Sequence, residues 1–286
     1  MNRHHRRAEA AVRRPSPQGR LLVGRVAVVT PAYASCAPQF AQSLAATFLE
    51  LNAAGYAISP IEAHGGSHID LVRDMLAAGV LASGAELSLW IDVDQSWQAQ
   101  DAVKLVMAVQ NEGLDFAGLP VPAKVVNWKA VGDAARAGVP DEKLLEAGCA
   151  SWTTLLRPED VSAEGYTGPT RTASTSLGMV RLVRAKRVPT AFACIRKSVF
   201  DRVISSSPER IFVRGGQGLH HSFSSGLGKN GWRGEDEAFT EACDRIGVTC
   251  WVWPEPVVGH HGPFEFRSGV DLDSWAKATA SKEAGQ

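Results

Sequence analysis

Leu87-Ser88-Leu89-Trp90-Ile91-Asp92-Val93-Asp94 is an apolar run that ends in two carboxylates one residue apart. Carboxylates at the end of a buried strand cannot stay charged without water or a cation. Hard oxygen ligands suit Mg²⁺ or Mn²⁺, and Mg²⁺ is usually shared between one or two carboxylates and substrate phosphates. The octapeptide therefore points to a divalent ion gripping a diphosphate. An Asp-x-Asp by itself is a weak sign, since roughly one arises by chance in a chain this long. Asp271-Leu272-Asp273 is such a second copy, with no strand before it, and reads as solvated surface. A polar strand end is the competing reading of Asp92 and Asp94, so their surroundings must decide.

Those surroundings alternate between two periods. Leu21–Thr30 is strand-like, with Val26, Ala27, Val28 and Val29 nearly continuous, as in a strand buried on both faces; Pro31 ends it. Phe40, Leu44, Phe48 and Leu51 predict a helix over 37–54 that stops at Gly55. Tyr56–Ile61 is a second strand. Ser67 and Asp70 open a helix whose inner face is Ile69, Val72, Leu76 and Val80. Leu87–Ile91 is the third strand, 98–112 a further helix, and Asp115–Leu119 a fourth strand. Strand–helix alternation of this kind builds a mostly parallel sheet covered by helices, and ligands sit off the carboxyl ends of its strands. Asp92 and Asp94 lie at such an end, as do Thr30-Pro31-Ala32-Tyr33 and His64-Gly65-Gly66. Three strand ends thus converge on one crevice, a context that Asp271 and Asp273 lack.

Composition bounds the remainder. The 286 residues are 45% hydrophobic and 21% charged, enough for one large domain or two small ones. Formal net charge is zero, so no global field argues for nucleic acid. Five scattered cysteines without C-x-x-C spacing argue against a zinc site or a secreted disulfide framework and fit a reducing cytoplasm. The Arg-rich residues 1–20 lack the apolar core of a secretory signal and read as a flexible basic tail. No apolar run approaches a membrane span. The expected organisation is a tail over 1–20, one domain over 21–270 with halves 21–120 and 121–270, and a C-terminal tail over 271–286.

The second half contains fewer regular patterns. Residues 123–187 read as short apolar pieces among turns, and Thr190–Ile195 as a strand leading into a helix over Ser198–Ile204. The seven glycines between Gly215 and Gly234 predict a long loop of lid type. Gly228-Lys229-Asn230 is not a phosphate-binding P-loop, because the Ser/Thr is missing. Three acids, Glu235, Asp236 and Glu237, open a helix over 235–246, which the helix dipole favours. Strand Val248–Val252 and then Val257-Val258-Gly259-His260-His261-Gly262 follow. His220 and His221 read as a surface-loop pair.

The order is distinctive: Pro31-x-Tyr33, Arg73-Asp74, Asp92-x-Asp94, Pro120-Val121-Pro122-Ala123-Lys124, Thr190-Ala191-Phe192, Glu235-Asp236, His260-x-Gly262. Over roughly residues 24–267 it resembles glycosyltransferases of the GT-A fold, in particular the small family-2-like enzymes of phages, large DNA viruses and bacteria. The resemblance implies a Rossmann-like α/β fold, a mostly parallel central sheet with helices on both faces. It implies a nucleotide-sugar-binding half over 21–120 and an acceptor half over 121–270 with the lid at 215–234. The donor would be a nucleotide sugar. Asp94, supported by Asp92, would hold Mn²⁺ or Mg²⁺ on the diphosphate, with His260 as a further ligand and His261 as its alternative. Pro31 and Tyr33 would flank the base, Arg73 would line the donor pocket, and Lys124 would sit near phosphate. Asp236 would be the general base of an inverting reaction, with Glu235 as alternative, and Trp232 would stack on a sugar. Many relatives have Thr-Gly-Phe where this chain has Thr190-Ala191-Phe192.

The acceptor is expected to be a glycan or a small molecule. DNA is also allowed, because 171–214 carries ten Arg/Lys against Asp201 and Glu209. Two other functions share these residue types: a nucleotidyltransferase or phosphohydrolase on the same cation site, and a non-catalytic sugar- or nucleic-acid-binding relative.

Overall fold

The computed structural model describes residues 22–32, 35–64, 66–149, 155–228, 231–268 and 272–283. The predicted basic tail, Tyr33, Lys229 and Asn230 lie outside them. One eight-stranded sheet forms the middle layer. Its strands are β1 (Gly24–Ala32), β2 (Tyr56–His64), β3 (Leu87–Ile91), β4 (Phe116–Gly118), β5 (Thr170–Thr175), β6 (Gly178–Ala185), β7 (Phe192–Arg196) and β8 (Cys250–Val252). They lie in the order β2-β1-β3-β7-β4-β8-β6-β5. The helices are α1 (Pro38–Ala53), α2 (Ile69–Ala82), α3 (Ala99–Asn111), α4 (Trp128–Arg136), α5 (Asp141–Cys149), α6 (Lys197–Ser206), α7 (Glu235–Arg245) and α8 (Leu272–Glu283).

Alternation along each strand splits the core in two. Val26 and Val28 of β1, with Leu89 and Ile91 of β3, pack against α1 and α3. Ala27 and Val29, with Trp90, pack on the opposite face against α2, α6, α7 and α8. The chain is therefore an α/β fold with helices on both faces of the sheet. Ser88 is fully buried in β3, and its hydroxyl donates to Ile195 O at 2.9 Å and accepts from Trp90 Nε1 at 2.9 Å. A polar residue in a buried strand is thereby satisfied across the sheet.

The strand directions hold one surprise. β1 pairs parallel with β2 and β3, and β4 parallel with β8. β7 enters between β3 and β4 antiparallel to both, and β6 runs antiparallel to β8 and β5. Six of the eight strands still share one direction. Phe192 at the start of β7 therefore stands opposite Ile91 at the end of β3.

Several sequence expectations change. β1 continues through Pro31 to Ala32, since Pro31 pairs with Ala63 of β2 at the sheet end. Ile69 is 42% exposed, so the inner face of α2 begins at Val72. The region 123–187 holds α4, α5 and the β5–β6 hairpin, which extends the main sheet. The segment 215–234 is not one long loop. It belongs to two hairpins, Ile211–Arg214 with Gln217–His220 and Gly226–Gly228 with Gly231–Arg233. The expected C-terminal tail forms α8, with Leu272, Trp275 and Ala276 buried in the core. Asp273 is exposed, as expected of the second Asp-x-Asp. No disulfide forms among the described residues. No described helix is long and apolar enough to cross a membrane.

Candidate active site

Asp92 and Asp94 follow β3 directly. The Asp92 N–H donates to Ala191 O at 2.9 Å, so the entry of β7 ties down the turn that carries both acids. A cavity of about 350 Å³ opens at this sheet end, lined by Arg73, Asp92, Pro122, Glu235, Asp236 and His260, among others. A second, of about 170 Å³, is lined by Pro31, Ala32, Gly66, Asp92 and Asp94. The ends of β1 and β3 and Gly66, just past β2, thus meet at one place, and Asp92 is common to both cavities.

Arg73 organises the first cavity. It is 1% exposed on α2 and reaches three carboxylates. Its Nη2 donates to both Asp92 oxygens at 3.1 Å, its Nε lies 3.4 Å from Glu235 Oε1, and Nη2 lies 3.9 Å from Asp236 Oδ1. Burial opposes the charge, but the three carboxylates outweigh it and raise the Arg73 pKa. Burial, only partly offset by Arg73, pushes Asp92 up to about 6, with Asp236, Asp94 and Glu235 adding to the rise. Glu235 is likewise raised by burial and by Asp236.

Asp94 has the opposite balance. Burial alone would raise its pKa, but hydrogen bonds from His260 and Lys124 hold it well below the usual carboxylate range. Lys124 Nζ lies 2.5 Å and His260 Nε2 3.3 Å from Asp94 Oδ2, while Gln95 Nε2 donates to Oδ1 at 3.1 Å. His260 Nδ1 donates to Pro122 O at 2.6 Å. A carbonyl can only accept, so Nδ1 carries a proton; the Nε2 contact with Asp94 is then a hydrogen bond in the doubly protonated ring and a lone pair facing the carboxylate in the neutral one.

Strand Gly259–His261, antiparallel to Gln95–Ser96 and to Glu265–Arg267, puts the two histidines on opposite sides. His260 turns to Asp94, and His261 Nε2 meets Ser96 Oγ at 2.8 Å. The structure therefore brings His260 to the acids and not His261.

Asp236 stands in the first turn of α7, capped by Gly234. The Thr190 hydroxyl donates to Asp236 Oδ1. Arg187 pairs with neighbouring Glu237 at 2.5 Å. α7 is fixed by Phe239, which stacks on Phe223 with centroids 4.4 Å apart and planes at 16°. Such pairs contribute about 0.5–1.5 kcal/mol beyond area burial.

Trp232 is not brought to this cavity. It is 73% exposed on the hairpin 226–233 and borders a separate groove along α7 with Glu237, Glu241 and Asp244.

Sequence reasoning missed Thr190 as the partner of Asp236, and it misread His220 and His221. His220 is buried and bonded to Ser222 Oγ at 2.8 Å and Ser207 O at 2.9 Å. His221 Nδ1 donates to Asp74 Oδ2 at 2.6 Å. Asp74 is 1% exposed and also accepts the N–H groups of Ser222 and Phe223 at 2.9 and 3.0 Å. Adjacent to Arg73, it ties α2 to the segment leading into α7. Asp74→Ala would strand these donors and is expected to cost about 2–4 kcal/mol, read as a lower denaturation midpoint with unchanged slope. A loss under about 0.5 kcal/mol would show the network to be slack.

Whether a divalent ion fits can be judged from the donors. Two adjacent ligands of an octahedral ion at about 2.1 Å lie about 3 Å apart. Asp94 Oδ2 and His260 Nε2, at 3.3 Å, have that spacing, and Nδ1–H···O=C bonding is the usual support of a ligating histidine. Asp92 gives both oxygens to Arg73. Among the described residues no three His, Cys, Asp or Glu side chains cluster as a ready-made metal cage. The residues fit an ion that takes its remaining ligands from water and a substrate.

No protein-family model and no curated protein matches the sequence. Among solved structures, the chain is similar to the crystal structure of GalNAc-T7 with UDP, GalNAc and Mn²⁺, at 10% identity and a TM-score of 0.39. The match covers 84% of this chain and 44% of that one, so this chain spans less than half of that protein's length. A likeness at this level carries no residue-by-residue correspondence.

Proposed function

We propose that the chain is a metal-assisted glycosyltransferase of the GT-A type that moves a sugar from a nucleoside-diphosphate sugar to an acceptor hydroxyl. One observation carries this reading. Asp94 and His260, spaced as two ligands of one cation would be, and a helix-mounted carboxylate, Asp236, stand at one sheet end, linked through Asp92 and Arg73. The order of motifs along the chain supports it.

Breaking a sugar–phosphate bond builds charge on the leaving diphosphate, and a bound Mg²⁺ or Mn²⁺ stabilises it as a Lewis acid. Asp94 and His260 would hold that ion, and Asp92, kept by Arg73, would line the donor side. Pro31 borders the second cavity, where a nucleoside would lie. With Oδ1 bonded to Thr190, Asp236 Oδ2 would take the acceptor proton as attack proceeds.

A neutral glycan or small-molecule hydroxyl suits the acceptor side. Glu235, Asp236 and Glu237 line it, and Arg187 is taken by Glu237. Several cations of the basic stretch 171–214 are engaged within the chain. Arg184 pairs with Asp160, Arg202 with Asp115, Arg196 with backbone carbonyls, and Arg171 lies over Trp251.

Thermal shift with UDP-, GDP-, dTDP- and ADP-sugars, each with Mn²⁺, tests donor binding. One of them at about 100 times its Kd should stabilise by about 2.7 kcal/mol, or roughly 5–10 °C. Asp94→Asn should abolish the shift. No shift with any donor, or an undiminished shift in Asp94→Asn, would remove this reading.

A further inference from the structure

We propose that Lys124 occupies the cation position at Asp94 in the substrate-free protein, so that a divalent ion binds tightly only when a diphosphate draws the ammonium away. This rests on the metal-assisted reading above and adds how the site is loaded.

Lys124 Nζ and His260 Nε2 converge on the same atom, Asp94 Oδ2, at 2.5 and 3.3 Å. An ion held by Asp94 and His260 would have to enter where the ammonium already sits. Two like charges cannot share one carboxylate oxygen at these distances without strong repulsion.

The short segment that delivers the lysine also sets the histidine: Pro122 O fixes His260 Nδ1, and Lys124 follows two residues on. Gly262 makes room for the stem, since a Cβ there would lie 3.3 Å from Lys124 Cδ. The Lys124 side chain is 34% exposed, with room to leave by rotation. Once displaced it needs another anion, and the donor diphosphate would be that anion, for which a lysine acts as a point charge.

The device has a chemical use. An ion bound alone would fill its remaining positions with water. Loading the ion with the diphosphate instead commits the charge to the leaving group.

The test is Mn²⁺ binding to the full chain without nucleotide, with free Mn²⁺ read by electron paramagnetic resonance. Lys124→Met, which keeps the stem and removes the charge, should bind Mn²⁺ about tenfold more tightly than the wild type. Lys124→Arg should stay near the wild type, and Asp94→Asn added to Lys124→Met should erase the gain. Circular dichroism and the thermal midpoint establish that each variant is folded. Equal Mn²⁺ affinity in the wild type and Lys124→Met, lost in Asp94→Asn, would overturn the proposal and leave the Asp94 site standing. No Mn²⁺ binding in any folded variant would remove the metal-assisted reading and the proposal with it.

Discussion

Asp236→Asn is expected to lower the rate of sugar transfer by about 10²–10⁴-fold while leaving donor affinity within a few-fold of the wild type. The amide has the volume of the carboxylate and still accepts from the Thr190 hydroxyl, so packing at the start of α7 should persist. What it cannot do is take a proton. Thr190→Val should give a smaller loss, because it leaves the base in place but frees its rotation. If Asp236→Asn transferred sugar at the wild-type rate and Glu235→Gln did not, the base would be Glu235. If neither mattered, proton removal would lie elsewhere and the assignment of α7 would be wrong.

Arg73→Met is expected to destabilise the fold by about 3–5 kcal/mol, because it leaves three carboxylates in a buried site without their cation. For a domain of this size that corresponds to a fall in Tm of roughly 6–20 °C. Asp92 and Glu235, already raised by burial, would be pushed further toward their neutral forms. Adding Asp92→Asn to Arg73→Met should return part of the stability, since it removes the strongest of the orphaned charges. Unequal single and double losses would measure that coupling. Strictly additive losses would show that Arg73 stabilises by packing alone. Arg73→Lys should not restore the wild type, because an ammonium cannot span Asp92 and Glu235 as the guanidinium does.

Much of the sheet was legible because its inner strands are buried on both faces. Val26–Val29 and Leu87–Ile91 are nearly continuous apolar runs, and the helices between them carry clear 3.6-residue spacing. The direction of β7 was not legible, since an apolar run reads the same whichever way it crosses the sheet. That direction has a consequence for the site. Running antiparallel, β7 starts beside the end of β3, and so Thr190 meets Asp236 and Ala191 receives Asp92. A parallel β7 would have put these residues at the far end of the sheet.

The site was legible in its residue types and less so in its pairing. Asp92 and Asp94 read as one cation-binding motif, but their environments separate them. Asp92 belongs to Arg73, whereas Asp94 belongs to Lys124 and His260. The doubled histidine could be resolved only by strand register, which turns His261 toward Ser96. α4 left no sequence signal of burial because it has no buried residue. α8 has Trp275 and Ala276 in the core, but three inward residues on a short C-terminal helix resemble an ordinary polar tail. Asp74 and His221 lie 147 positions apart, a pairing that no local pattern records.

The central claim is tested most directly by incubating the wild type and Asp94→Ala with a panel of nucleotide sugars and Mn²⁺, with and without glycan and small-molecule acceptors, and identifying the released nucleotide. The account predicts nucleoside diphosphate, with the sugar recovered on an acceptor or on water, and loss of this turnover in Asp94→Ala. Pyrophosphate or a nucleoside monophosphate as the product, or nucleoside diphosphate release that survives Asp94→Ala, would contradict it.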